Sequence, residues 1–284
     1  MAKLAVISTL LSILALSSNA QIDLASKEKE LVSLQKIVHQ WVDSTSNISA
    51  KSKVNPYDSI AKYDSTIALE LDELSLKCPD IFNWGFHSFD SAWAPIFVLT
   101  STDKNFRLYS WDNMQGGTMR SYDDILSYRS KHFQKADYYI AENGKPDNER
   151  PVKDYCTLFY DLLTVKVGKK YFYLAAFHNQ YASCSYYDGV QVFTIDSSGL
   201  NDTVKLIKTS SGMKNSIVYE WKATGQYHYK GGGDYDIHVE LDQKRQTIKI
   251  PVVFDDGHVT KRYIEYRFNG KYFEKAGIIP AKGE

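Results

Sequence analysis

Three stretches hold side chains able to do chemistry. "NWGFHSFDSAW" (83–93) sets His87 and Asp90 among Trp84, Phe86, Phe89 and Trp93. A histidine and a carboxylate can form an acid–base pair. Aromatic platforms with polar edges also suit a sugar, whose C–H face stacks on a ring while its hydroxyls take hydrogen bonds. The competing reading is a packed junction core with His87 bonded to backbone. "FRLYSWDNMQGGTMRSYDDI" (106–125) offers Trp111, Asp112 and Arg120 as a small polar-aromatic ligand site. Alternatively, Asp112 clamps a turn through local hydrogen bonds and Trp111 lids a sheet face. Asp236, His238 and Glu240 alternate in "DYDIHVEL" (234–241), so they share a strand face. Same-face neighbours stand about 6.5–7 Å apart, close enough for long side chains to converge on an ion. No fourth ligand is indicated, and a solvated face explains the pattern equally. No metal and no cofactor is expected.

The usual catalytic signatures are missing from the sequence. It has no G-x-S-x-G elbow, Walker loop, G-x-G-x-x-G or H-E-x-x-H. "GGGDYD" (231–236) opens a strand pattern and reads as a turn. The 34 acidic residues offer many carboxylate pairs for glycoside hydrolysis, but no spacing singles one out. An enzymatic role has no positive support in the sequence.

These candidates need a scaffold, and the chain starts with an address. Lys3 precedes an apolar run, Leu4–Leu16, of signal-peptide length and too short to span a bilayer comfortably. "SSNA" places Ser18 and Ala20 where a signal peptidase reads. Residues 1–20 are therefore expected to be removed, an uncleaved anchor being the alternative. No later segment has the apolar length of a membrane helix. Removing residues 1–20, which carry one of 34 basic residues, leaves 264 of 284 residues, with 33 basic and 34 acidic side chains. That balance argues against nucleic-acid or anionic-membrane binding through general charge. A periplasmic or extracellular location is expected.

An oxidising compartment favours disulfides. Cys156 and Cys184 flank an expected hairpin and form the favoured pair, with Cys78 left over; spacing alone does not decide the pairing.

Composition divides the chain. Of its 5 Trp, 21 Tyr and 13 Phe, only Trp41, Tyr57 and Tyr63 precede residue 81. Residues 21–80 read as two helices. Leu31, Leu34, Ile37, Val38 and Trp41 make one apolar stripe, and Ile60, Tyr63, Ile67, Leu71 and Leu74 another. Asn55 is a cap, Pro56 suits the first turn, and Pro79 ends the second helix. Asp43–Lys53 is a polar connector. Residues 81–284 read as ten or so strands with no helical pattern between them. "VGKKYF" and "FNGKYF" mark hairpins at Gly168 and at Asn269–Gly270, the second a two-residue type I′ turn. Pro251 places its strand at an edge or at a bulge. The fold class is α+β: an N-terminal helical hairpin, then a mostly antiparallel β domain, sandwich or barrel-like, with a propeller less favoured.

At Ser110–Met119 and in the tail "VTKRYIEYRFNGKYFEK" (259–275), the chain resembles a family of exported bacterial proteins marked by an SWD-x-x-x-GGTM element and a Y-x-F-N-G-K-Y-F hairpin. No activity is assigned to that family. The resemblance spans roughly residues 80–275 and implies export; it brings no catalytic residues. Together these features point to an exported binding or envelope-associated protein that recognises a glycan or another protein. The alternatives are an exported hydrolase of cell-wall or dietary glycan, and a structural part of an envelope assembly.

Overall fold

The computed structural model describes residues 22–45, 55–86, 89, 95–130, 133–139, 157–222 and 239–280. The expected signal segment, His87, Asp90, Cys156, Asp236 and His238 lie outside these residues.

Two helices come first, α1 (Leu24–Thr45) and α2 (Pro56–Lys77). The start of α2 follows its sequence signals. The Asn55 side chain accepts the Tyr57 N–H at 3.2 Å, Pro56 opens the first turn, and Asp58 sits there too. Each apolar stripe is interrupted by polar residues that the fold buries. On α1 the buried positions are Leu24, Glu28, Leu31, Gln35 and Val38. On α2 they include Ile60, Asp64, Ile67, Leu71, Leu74 and Ser75. Lys27 of α1 meets Glu70 of α2 at 2.7 Å.

The strands form three open sheets, and none closes into a barrel among the described residues. The first is a meander of β1 (Phe97–Thr100), β2 (Phe106–Asp112), β3 (Tyr122–Arg129) and β4 (Gln134–Tyr139). The second is ordered β11-β7-β6-β5, from β5 (Leu158–Val167), β6 (Lys170–Ala182), β7 (Ser185–Ile195) and β11 (Ser216–Lys222), with the short β8 (Leu200–Asn201) beside β7. The third is ordered β10-β9-β15-β14-β13-β12. Its strands are β9 (Ile207–Thr209), β10 (Gly212–Lys214), β12 (Glu240–Asp242), β13 (Thr247–Val253), β14 (Val259–Phe268) and β15 (Phe273–Pro280). The pairing is antiparallel except where β15 lies parallel to β9.

Three apolar clusters stack these parts in four layers. The helices pack with Tyr109, Trp111 and Ile125 on one face of the first sheet. Its other face, with Phe106, Leu108, Leu126 and Tyr128, meets Phe159, Tyr173, Phe177 and Phe193 of the second sheet. The far face of the second sheet, with Leu174, Val190 and Val192, meets Ile248, Ile250 and Phe273 of the third. The first two sheets are thus covered on both faces, and for this reason every residue of β2 is buried. The Ser110 hydroxyl joins these two sheets by accepting the Phe159 N–H at 2.8 Å.

Turn chemistry departs from expectation at two places, the Asn269 loop and the loop after β2. Gly168 has φ 61° and opens a two-residue turn between Val167 and Lys170, as its sequence suggested. At Asn269–Gly270 the loop has four residues, because Phe268 pairs with Phe273. Asn269 is a clamp there: its Oδ1 accepts the N–H groups of Lys271 and Tyr272, while Gly270 takes the positive φ of 93°. The turn that Asp112 was expected to clamp is a longer loop, from Asn113 to Ser121, since β3 begins at Tyr122. Its positive φ falls on Met114, at 60°. Gly116 is required for a different reason: a Cβ there would lie 2.3 Å from the Met119 carbonyl oxygen. At Pro251 the expected bulge is present, as a register shift between Pro251 and Val253.

The favoured disulfide is not formed. Cys184 is an exposed free thiol at the tip of the β6–β7 hairpin, where Ala182 pairs directly with Ser185, and Cys78 is a buried free thiol.

Candidate functional site

Trp111 faces the core. It is 3 % exposed, and its indole Nε1–H donates to Asp64 Oδ1 of α2 at 2.7 Å. Asp112 turns back on its own loop, with Oδ1 accepting the Met114 N–H at 2.8 Å. Arg120 approaches Asp112 Oδ2 at 3.5 Å, and its backbone N–H donates to the Gln180 carbonyl of β6. Asp112 and Arg120 therefore do meet, while Trp111, next in the chain to Asp112, is turned onto the helices at the seam between helices and sheet. Asn113 adds a bond to Asp123 Oδ1 at 2.9 Å.

This seam gathers carboxyl groups. Burial is the main force holding the Asp64 carboxyl well above the usual carboxylate range, and the neighbouring Asp123 pushes the same way, while the Trp111 N–H opposes. Asp112 is raised too, by burial, against the pull of Arg120. The recess beside them, lined by Gln35, His39, Asp64, Trp111 and Asp112 among others, has about 10 Å³ of free space, room for about one water molecule. A sugar or peptide does not fit. Among the described residues no group of three or more His, Cys, Asp and Glu is disposed to hold a metal ion.

Trp84 stands apart from this seam. Its Nε1–H donates to Glu28 Oε2 at 2.9 Å, and its carbonyl accepts from the Arg107 guanidinium.

A second pair, unforeseen in the sequence, joins β6 to β7. His178 Nδ1 lies 2.7 Å from Asp188 Oδ1, and the Tyr219 hydroxyl donates to Asp188 Oδ2 at 3.3 Å. Burial first, then the Asp188 charge, pushes Tyr160 and Tyr219 well above the phenol range. The imidazole is 7 % exposed and lies beside the Tyr186 and Trp221 rings. An oriented imidazole suits acid–base chemistry, but this one is closed in by its neighbours.

Two open hollows stand among the described residues: one of about 470 Å³ beside Trp84, Asp80 and the start of α1, and one with more charged walls at the opposite end of the first two sheets from the seam. There the β1–β2 turn, the end of β3, the β5–β6 turn and the end of β7 surround a hollow of about 400 Å³. Its walls include Asp103, Arg129, Lys169, Lys170, Tyr171, Tyr173 and Asp196. The β5–β6 turn, set by Gly168, presents both lysines and Tyr171 together. The acids are engaged by the protein itself. Asp103 accepts from Ser101 Oγ (2.7 Å), Asn105 N (3.3 Å), Asn105 Nδ2 (2.9 Å) and the Tyr173 hydroxyl (3.0 Å). Burial, then the Asp103 carboxylate, keeps Tyr173 firmly protonated. Asp196 accepts from the side chains of Ser198 and Asn201 and from the Ser198 N–H. These bonds, the Ser198 hydroxyl foremost, pull it down to about 2. The hollow escaped sequence reading because its walls come from four distant segments. The one local signal was the "GKK" turn, read as a hairpin alone.

No protein-family model matches the chain, and neither does any curated protein or solved structure.

Proposed function

We propose that this chain is an exported binding protein, and that it seats a glycan or a partner's polar surface in the hollow beside the β5–β6 turn. Support for export comes from the sequence of residues 1–20 and from the family resemblance. The observation that carries the binding reading is the composition of the hollow: a tyrosine ring, cationic side chains and self-satisfied acids in an open space of about 400 Å³. Pockets that bind without reacting have this character, with an apolar platform and a few fixed polar groups.

Hydrolysis is the weaker reading of the same hollow. A glycosidase needs one carboxylic acid held protonated near neutral pH. Asp196 is pulled the other way, to about 2, and Asp103 has its oxygens occupied by four donors. A purely structural role with the helices as a docking element is weaker still. Their buried stripes are already spent on Tyr109, Trp111 and Ile125.

The test uses the chain without residues 1–20. It should be retained on immobilised cell-wall or glycan fractions, or crosslink to an envelope partner, and Tyr171→Ala should reduce that retention. Absence of both retention and crosslinks would remove the proposal. Release of reducing sugar from a glycan panel, lost in Asp103→Asn, would favour the hydrolase instead.

A further inference from the structure

The hollow has a charge asymmetry that its overall composition hides. Two acids and three cations face it, but the two sets are differently committed. Every bond described for Asp103 and Asp196 comes from a neutral donor of their own loops or of Tyr173. These bonds fix where the carboxylates sit but leave their negative charge, so the wall carries three cations against two anions. Arg129 is fixed by the carbonyls of Lys104 and Pro79 and stacks over Phe82 with its Cζ 4.5 Å from the ring centre, so it too has its charge without a carboxylate against it. Lys169 and Lys170 are exposed and join no ion pair among the described residues. Lys170 acts on Asp196 through space without pairing with it. Lys166, on the same hairpin, lies over the Tyr171 ring, 5.1 Å from its centre.

What the wall presents to a ligand is therefore a small excess of positive charge, gathered at the β5–β6 turn beside a phenol ring. We infer that the ligand of this hollow is an anionic glycan, its acidic group held by Lys169 and Lys170 while a sugar ring lies against Tyr171. This rests on the binding reading above and narrows it. The cations sit at a two-residue hairpin, which fixes where their backbone presents them. The mature chain carries a formal charge of −1, with 33 basic and 34 acidic side chains, so attraction to a polyanion has to be local.

The experiment compares three polymers of one backbone: dextran, carboxymethyl-dextran and dextran sulfate. Affinity electrophoresis of the chain without residues 1–20 gives the dissociation constants. The two charged polymers should bind and neutral dextran should bind far more weakly. Preference between them identifies the acid as carboxylate or sulfate. Lys169→Ala/Lys170→Ala should weaken charged-polymer binding about tenfold and remove most of its salt dependence. Lys29→Ala/Lys36→Ala removes the same charge from the exposed side of α1 and should leave binding unchanged. If it weakens binding as much, the attraction is general and the inference falls. If neutral dextran binds equally well and depends on Tyr171 but not on the lysines, the acidic ligand is wrong and the binding reading stands. If none of the three binds, the anionic-glycan inference falls, and the retention and crosslinking test decides the binding reading. Melting temperatures of all variants, measured alongside, separate lost binding from lost folding.

Discussion

Toward the second sheet, the β1–β4 sheet offers Phe106, Leu108, Leu126 and Tyr128; toward the helices it offers Arg107, Tyr109, Trp111, Asp123 and Ile125. The first face is dry and aromatic over Phe106, Leu108, Leu126 and Tyr128, and turns polar beyond them at Ser110 and Asp124. Phe106 stacks on Tyr173 at 5.0 Å between ring centres and lies 5.6 Å from Phe193. The second face is threaded with hydrogen bonds: Trp111 to Asp64, Trp84 to Glu28, Arg107 to Thr100 and to the Trp84 carbonyl. Burial of rings gives the larger free energy but tolerates sliding, because apolar contact is non-directional. Buried polar groups give less net stability, yet each must meet its partner or lose the full desolvation cost. The dry face therefore holds the sheets together, and the polar face fixes where the helices sit.

The sharpest way to break this comparison is Phe106→Ala. Loss of a fully buried ring should cost about 3–5 kcal/mol, read from the denaturant midpoint. A cost under about 1 kcal/mol would mean the dry face collapses freely and is not what holds the sheets. Trp111→Phe keeps an aromatic ring and deletes the N–H that Asp64 accepts. It should cost about 1–3 kcal/mol, with the protease sensitivity of α1 and α2 rising before that of the strands. Loss of protection uniformly across the chain would contradict a positioning role for that bond.

Asp64→Asn should go the other way at neutral pH. The folded carboxyl titrates well above 3.8. Its contribution is therefore fully present below pH 3.8 and is lost as pH rises through the folded value. An amide keeps an acceptor for Trp111 and has no charge to bury. The variant should gain on the order of 1 kcal/mol at pH 7.5 and nothing at pH 3.5, by urea unfolding at both values. Equal destabilisation at both would show that the carboxyl is not strained. Lys169→Ala/Lys170→Ala should be the mildest change, within about 0.5 kcal/mol, because both are exposed, join no ion pair among the described residues, and lose only the contact of Lys170 with the Phe172 ring.

Local signals in the sequence carried the frame of the fold. Asn55 and Pro56 marked the start of α2, the 3–4 spacing marked both helices, and alternation marked the faces of β2. Alternation fixes which residues share a face but not what covers it. Arg107, Tyr109 and Trp111 alternate onto one face, yet only the helices packed on them explain why all are buried. Asp64 was legible in principle. It stands four residues after Ile60 and three before Ile67, at the centre of an apolar stripe where a carboxylate needs a partner. Tyr63, more apolar and one position off, completes the same stripe and masks it. The hollow was beyond local reading, since residues 103, 129, 169–171 and 196 meet through the stacking of two sheets and share no motif.

One property of the third sheet bears on how the protein can fail. β15, the latest of the described strands in chain order, lies inside its sheet, between β14 and β9. Phe273 faces Ile207 on one side and Phe268 on the other. A chain that has not yet delivered residues 273–280, or has lost them to a protease, presents two raw edges at once. Each edge offers unpaired backbone groups to any strand nearby, including those of another copy. The tail is therefore the keystone of that sheet, and clipping it should produce a sticky protein before it produces an unfolded one.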